Sequence, residues 1–245
     1  MVLTTRRQLD GACGRALVAL TGRWGGASSG GRLNLGDHVG DDPAAVAANR
    51  ARVAAALDLP ASRVLYARQV HGAAVAVADG PWPGPPPEAD AVVTDRPGLA
   101  LGVLVADCVP VLLADADAGV VGVAHAGRRG MDAGVVAAAV RAVRDLGGRA
   151  PRALLGPSIC ARCYGVPAQL RDEVAARSPV AASVTWRGEP SLDVAAGVLA
   201  QLAALGVPAE QLPGCTAESP DLSSARRDGA GAARTAGLVR WEPRA

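Results

Sequence analysis

Hydrophobic positions are densest between Leu99 and Met131. Three runs rich in Val and Leu lie there, Leu99 to Ala106, Val109 to Ala114 and Val120 to Ala124, and each is about the length of one strand. Runs this continuous predict strands covered on both faces. An ionisable side chain in such a place is costly unless it is paired, neutralised or bound to a metal. Asp107, Cys108 and His125 stand at the ends of these runs and so require a partner. His71 is placed similarly, closing a short strand-like run just before Gly72.

The rest of the pattern mixes both periods. GRALVAL, residues 14 to 20, predicts a first strand. A helix follows, with Asp42 as its cap, Pro43 in its first turn and Pro60 as its stop. Val46, Val53 and Leu57 mark its buried stripe, with Asn49, Arg50 and Arg52 elsewhere around it. Arg63 to Ala67 and Ala73 to Ala78 read as strands, and the proline-rich DGPWPGPPPEAD reads as an extended loop. Past the central stretch come a helix from Asp132 to about Leu146, stopped by Gly147 and Gly148, and a strand at Arg152 to Leu155. A helix near Ala168 to Ala176, a strand around Ser183 to Trp186, a helix from Leu192 to Leu205 and an Arg- and Gly-rich loop entering a last strand complete the chain.

Adjacent strands with short connections outnumber strand–helix–strand crossovers. That order predicts an α+β fold of mixed or antiparallel sheets flanked by helices, as a single domain over residues 1–245 with no linker. The glycine-rich stretch TGRWGGASSGGRLNLGDHVGDD is too long and too specific to be a plain connector. Arg23, Asn34 and His38 within it are candidates to line a site; the competing reading is a flexible surface loop.

Composition narrows the chemistry. Half the residues are apolar, yet Phe is absent and aromatics make up 2%, so Ala, Val and Leu must fill the core. Every basic side chain is Arg, as a GC-rich codon bias would produce. A net charge of +2 without a dense Arg run argues against a nucleic-acid footprint, and Arg128-Arg129 reads as a solvated turn. Asp107, Asp115 and Asp117 interrupt the longest candidate for a membrane span. With no signal-peptide pattern the expected location is cytoplasmic, where five cysteines imply reduced thiols rather than a disulfide framework. GxGxxG and Walker-type loops are missing, so a nucleotide cofactor is not indicated.

Three histidines occur, His38, His71 and His125, and the last two sit in HG and HAG turns after apolar runs. With Cys108 they form a two-nitrogen, one-thiolate set suited to a catalytic zinc, whose open fourth position would hold a water acidified to a pKa of about 7. Spacing alone leaves alternatives open: an inert buried Cys, a His satisfied by a backbone carbonyl, or a Cys108–His125 nucleophile pair. CARC, Cys160 to Cys163, suits a metal or a dithiol, but no second CxxC completes a four-sulfur site. Cys13, Cys160, Cys163 and Cys215 are therefore expected to be structural, with Cys160 or Cys163 a candidate to border the active site.

The series TGRWGG, LNLGDHVGDDP, VAANR, RQVHG, DAVVTDRPGLALGVLVADCVPVLLAD, VGVAHAGRRG, LGPSICARCYGV and CT resembles, in order, the YfiH-type family, also called laccase-domain or polyphenol oxidase family proteins. The resemblance covers about residues 21 to 240. It implies a fold like the catalytic domain of cytotoxic necrotizing factors and a zinc bound by the residues here numbered His71, Cys108 and His125. It further implies purine nucleoside phosphorylase activity, with adenosine deaminase and methylthioadenosine phosphorylase activities. Substrates would be small molecules, a purine nucleoside and phosphate, handled by a monomer or small homo-oligomer with no nucleic-acid or membrane partner.

Arg23, Asn34, Arg226, Arg227 and Arg234 are the candidate substrate-binding residues; among these Arg23, Arg226 and Arg234 suit phosphate, since a guanidinium fork matches its oxygens. The family's tail is close to FFSYRRDG-x-TGR, whereas this chain has DLSSARRDGAGAAR, keeping Arg226, Arg227 and Asp228 but lacking the aromatics. A purine base would lose stacking worth roughly 1–3 kcal/mol. Deamination normally uses a glutamate in an HxE motif, which is missing here; Asp107 is the nearest carboxylate. A multicopper laccase needs about ten histidines, so three exclude it within one chain, while a single copper remains compatible. The rival classes are a single-copper polyphenol oxidase, a Cys-His hydrolase or amidase acting on a peptidoglycan precursor, and a non-catalytic protein with a structural zinc.

Overall fold

The computed structural model describes residues 2–244. Along the chain run β1 (Leu3–Asp10), β2 (Gly14–Thr21), β3 (Trp24–Ser28), α1 (Pro43–Ala56), β4 (Val64–Tyr66), β5 (Val75–Val77), β6 (Ala91–Thr94) and β7 (Ala100–Val105). Then follow β8 (Val109–Asp115), β9 (Val120–Ala126), α2 (Arg128–Ala133), α3 (Val135–Asp145), β10 (Arg152–Leu155) and α4 (Ala168–Ala175). The chain ends with β11 (Ala182–Val184), β12 (Pro190–Leu192), α5 (Val194–Ala204), β13 (Ala209–Gln211), α6 (Ala225–Asp228) and β14 (Thr235–Pro243).

Two mixed sheets stack face to face. One has the order β1-β2-β14-β7-β4, the other β13-β10-β8-β9-β6-β5, and β11 and β12 pair separately. Within these sheets, among the described residues, parallel pairing occurs only where β4, β5 and β13 join the edges. Val18, Leu101 and Val239 of the first sheet meet Leu112, Val121 and Val123 of the second in the central core. The other face of the first sheet, with Leu17, Ala19 and Leu238, packs under Val53 of α1 and Leu57 at its C-terminal end. The other face of the second, with Val93, Val111 and Leu113, packs under Val136, Val140 and Val143 of α3 and Val198 and Leu202 of α5.

The four layers, helix, sheet, sheet, helix, explain the unbroken apolar runs. Successive strand residues point to opposite faces, and here both faces are covered, so every residue of β8 and β9 is buried. Within the five-stranded sheet a glycine makes room for the ring of its β4 neighbour: a Cβ on Gly102 would stand 2.4 Å from the Tyr66 ring.

The α+β arrangement of mixed sheets and flanking helices is as expected, with several local differences. The expected helix at Asp132 begins instead at Arg128, so the Arg128-Arg129 pair opens α2 rather than forming a solvated turn, and Gly134 at φ 88° then breaks the helix before α3. The expected helix from Leu192 starts at Val194, because Asp193 caps it by accepting from the Ala196 N–H at 2.8 Å and Leu192 still belongs to β12. β1 and β13 escaped the pattern because both are edge strands with largely exposed side chains. The glycine-rich segment is ordered, containing β3 and then a buried path through Leu33, Asn34 and Leu35.

Asn49 is also corrected: it lies on the buried stripe of α1, fully enclosed. Its Oδ1 accepts from the Ala27 N–H at 2.6 Å, while Nδ2 donates to Ser28 Oγ and the Asn34 carbonyl at 2.9 and 2.8 Å. Asn49 thus fastens the glycine-rich segment to the helix. Replacing it with Ala leaves buried backbone groups without partners, so Asn49→Ala should cost about 1–3 kcal/mol. Thermal unfolding should show a fall of about 2–4 °C for each kcal/mol in a chain of this size; an unchanged midpoint would refute the role.

Candidate metal centre and substrate cavity

Two chain crossings between the sheets build the site. The segment from β4 to β5 leaves the five-stranded sheet for the six-stranded one and carries His71; the turn from β7 to β8 does the same and carries Asp107 and Cys108. His125 enters from β9, opposite Pro110 of β8. Gln69 locks the crossings together, its side-chain amide donating to the Leu104 carbonyl at 2.8 Å and accepting from the Leu104 N–H at 2.7 Å.

Both turns are held in the left-handed region, His71 at φ 61° and Asp107 at φ 91°. Non-glycine residues persist there only when their surroundings impose it. For His71 the restraint is Asp90, whose buried carboxylate accepts the N–H groups of Val70, His71 and Gly72 at 3.1, 2.9 and 2.7 Å. For Asp107 it is the Thr216 hydroxyl and the Arg226 N–H, which donate to its carboxylate at 2.6 and 2.7 Å.

Asp90 also accepts from His125 Nδ1 at 2.8 Å, which turns Nε2 toward the site. Cys108 Sγ lies 3.9 Å from His71 Nε2, and the two imidazoles meet edge to face with centroids 4.7 Å apart. One donor atom from each of His71, Cys108 and His125 falls within 4.8 Å of the other two. Burial by itself would push the Cys108 thiol up; the charge on His125 and hydrogen bonds from both imidazoles bring it down to about 6. Burial would likewise lower His125, but the Cys108 thiolate and Asp90 raise it to about 9. Asp90 is held below the usual carboxylate range, burial being outweighed by His125 and the backbone N–H groups.

The three donors fit a metal ion. Tetrahedral ligands at about 2.0–2.3 Å from zinc stand roughly 3.3–3.8 Å apart, and here Cys108 and His71 are 3.9 Å apart with all three donors within 4.8 Å of one another. The Asp90–His125 contact is of the kind that would orient a ligating imidazole from outside a metal's own ligands. A Cβ on Gly127 would approach Cys108 Sγ to 2.9 Å and His71 Cδ2 to 3.0 Å, so the glycine after the HA pair keeps the donors together.

Above the cluster opens a cavity of about 550 Å3 whose walls include His38, Leu104, Asp107, Tyr164, Arg226 and Arg234. The Arg226 guanidinium covers the Tyr164 ring at 5.0 Å. The remaining sequence candidates have other employment. Arg23 pairs with Asp228 at 3.1 Å and stacks on Trp24. Arg227 donates to the Thr216, Ser219 and Leu222 carbonyls and to Asp228. Asn34 is buried, with Oδ1 accepting the Arg234 N–H at 2.8 Å. These three therefore shape the loops behind the cavity instead of lining it. Asp90 and Tyr164 were missed: the first showed only as an acid before an apolar strand, the second only as a ring two turns beyond a strand end.

The family profile described as multi-copper polyphenol oxidoreductase laccase matches residues 17–242. Purine nucleoside phosphorylase ORF3 of Streptomyces griseus is 56% identical over 222 residues, 88% of this chain and 90% of its own. Purine nucleoside phosphorylase Rv2149c of Mycobacterium tuberculosis is 47% identical over 251 residues, covering 99% and 100%. Among solved structures, YlmD of Geobacillus stearothermophilus superposes with a TM-score of 0.85 at 32% identity, covering 93% of this chain and 92% of that one. Neisseria meningitidis protein NMB0706 gives 0.85 at 33%, covering 99% and 100%. With its two stacked sheets and its sequence both matched over nearly their full extent, the chain belongs to the YfiH-type polyphenol oxidoreductase laccase family.

Proposed function

We propose that this chain is a metal-dependent purine nucleoside phosphorylase, with zinc at His71, Cys108 and His125. The reading is carried by one observation: the three-donor cluster shares a cavity with two guanidinium groups and an aromatic ring. The relatives' names at 47–56% identity support the same reaction. Copper is the alternative ion, since imidazole and thiolate also suit it.

In phosphorolysis a phosphate oxygen bonds to the ribose anomeric carbon as the bond to the purine nitrogen breaks, and the base leaves with a proton. Arg226 and Arg234 hold the phosphate by paired charge-assisted hydrogen bonds. Tyr164, its ring covered by Arg226, and Leu104 give the base an apolar wall that helps exclude the water that would hydrolyse the nucleoside instead. His38 lines the cavity outside the donor cluster, with Nδ1 3.5 Å from Asp37, and we assign it proton transfer to the departing base. A zinc ion, when bound, supplies a Lewis acid beside the substrate. Adenosine and its 5′-methylthio analogue are the proposed substrates, as the family resemblance implies. Deamination of adenosine has thinner support, because the Asp107 carboxylate is already engaged by Thr216 and Arg226.

A second reading rests on the Asp90–His125–Cys108 arrangement, whose lowered thiol and oriented imidazole are also the parts of a cysteine hydrolase. The two readings separate on products. Chromatography of adenosine with the zinc-loaded protein should give adenine and ribose 1-phosphate only when phosphate is added, with loss of at least about 100-fold in Cys108→Ala and after chelation. Inosine without phosphate would mean a deaminase, and no turnover with retained acylation of Cys108 by activated esters would favour the hydrolase.

Asp90→Asn should weaken metal binding by about 10–100-fold, read by competition with a chromogenic chelator, because the imidazole loses its orienting acceptor. Arg234→Gln should raise KM for phosphate about tenfold or more with little change in KM for the nucleoside. Equal effects on both constants would remove Arg234 from the phosphate subsite.

A further inference from the structure

Four side chains that the proposed reaction does not use converge behind the Tyr164 wall of the cavity. Cys160 and Cys163 lie in the turn after β10, where the Cys160 carbonyl accepts the N–H groups of Cys163 and Tyr164 at 3.0 and 3.1 Å. Cys215 and Glu218 come from the segment between β13 and α6. Cys215 has no recognisable frame in the sequence because Cys160 and Cys163 lie 55 and 52 positions away.

The two segments are bound together by backbone. Ser158 bridges to Cys215 as adjacent strand residues do, and the Thr216 N–H donates to the Ser158 carbonyl at 3.1 Å. As a result the three sulfurs and one Glu218 oxygen all lie within 4.8 Å of one another. Cys163 and Cys160 Sγ stand 3.2 and 3.8 Å from Glu218 Oε1. Two further contacts suit a ligand set. The Cys160 N–H donates to Cys215 Sγ at 3.3 Å, as outer hydrogen bonds to charged sulfur do, and Trp186 Nε1–H donates to the Glu218 carboxylate at 3.4 Å and orients it.

We infer that Cys160, Cys163, Cys215 and Glu218 form a second, structural binding site for a divalent transition metal of the zinc type. Three soft sulfurs select against magnesium and calcium, while the carboxylate oxygen distinguishes the set from an all-sulfur site for copper(I) or an iron–sulfur cluster. Four protein ligands fill a tetrahedron, which marks a closed site rather than one open to substrate. As the metal binds, each thiol gives its proton to solvent and its sulfur bonds to the ion. The bound ion staples two segments of the cavity wall: Tyr164 directly follows Cys163, and Thr216, next to Cys215, holds the Asp107 carboxylate beside Cys108.

The test counts metal in the full chain, purified under reductant, loaded with zinc alone and desalted. Wild type should hold about two zinc ions per chain, Cys108→Ala about one, Cys163→Ser about one, and the double variant essentially none. Cobalt(II) loaded into Cys108→Ala should show a thiolate-to-metal charge-transfer band in the near ultraviolet, a readout that does not depend on Cys163→Ser folding well. Glu218→Gln in the Cys108→Ala background should lower zinc affinity at least about tenfold while preserving that band. A zinc-free Cys108→Ala protein, a Cys163→Ser protein that binds as much zinc as wild type, absence of the cobalt band, or a Cys160–Cys163 disulfide in the zinc-loaded sample would each overturn the inference.

Discussion

One buried carboxylate governs the geometry of the candidate metal centre. Asp90 gathers three consecutive backbone N–H groups, from Val70 to Gly72, and the Nδ1 of His125. A buried charge is tolerable only with such a set of donors. Each donor it accepts also fixes something else: the N–H groups hold His71 in its left-handed conformation, and the imidazole contact selects the tautomer that presents Nε2. The donor separations therefore depend on a side chain that is not itself one of the three donors.

The layered fold explains why this can happen at one place. His71 and Cys108 both lie on crossings from the five-stranded to the six-stranded sheet, and the segment after β13 returns from the second sheet to the first. Strands buried on both faces are mostly apolar, and the donor set gathers where the crossings that carry His71 and Cys108 meet His125 near the end of β9. Asp107 shows the coupling: its carboxylate ties the return segment, through Thr216 and Arg226, to the residue preceding Cys108. An Arg-rich tail segment and a thiol in a strand turn thus become neighbours.

Sequence patterns revealed what depends on local periodicity and on the cost of burying charge. The central strands were legible as double-faced apolar runs, and α1 as a capped segment whose Asp42 side chain accepts from the Ala44 N–H at 2.9 Å. His71, Cys108 and His125 stood out because ionisable groups at the ends of such runs need a partner. What stayed hidden depends on contacts between distant residues. Asn49 looks like a solvated helix residue until Ala27, Ser28 and Asn34 are folded against it. Arg23, Arg226, Arg227 and Arg234 are alike in sequence, and only the folded loops separate Arg226 and Arg234, which line the cavity, from Arg23 and Arg227, which pair with Asp228.

The same contacts bear on the altered tail and on the family's oxidase description. The tail lacks the aromatics of the family pattern, yet Ser224 caps α6 by accepting from the Arg227 N–H, and the Arg226 N–H still reaches Asp107. The segment is therefore tethered to Asp107 without those aromatics, and Tyr164, on another loop and faced by Arg226, lines the cavity. As for oxidation, a type 1 copper with a trinuclear cluster needs about ten imidazoles. Two of the three histidines here are committed to one cluster with Cys108, and the third, His38, lies across the cavity beside Asp37. With His38 outside that cluster, the imidazoles of one chain are too few for a trinuclear centre beside it, and the proposed phosphorolysis, which moves no electrons to an oxidant, asks for none.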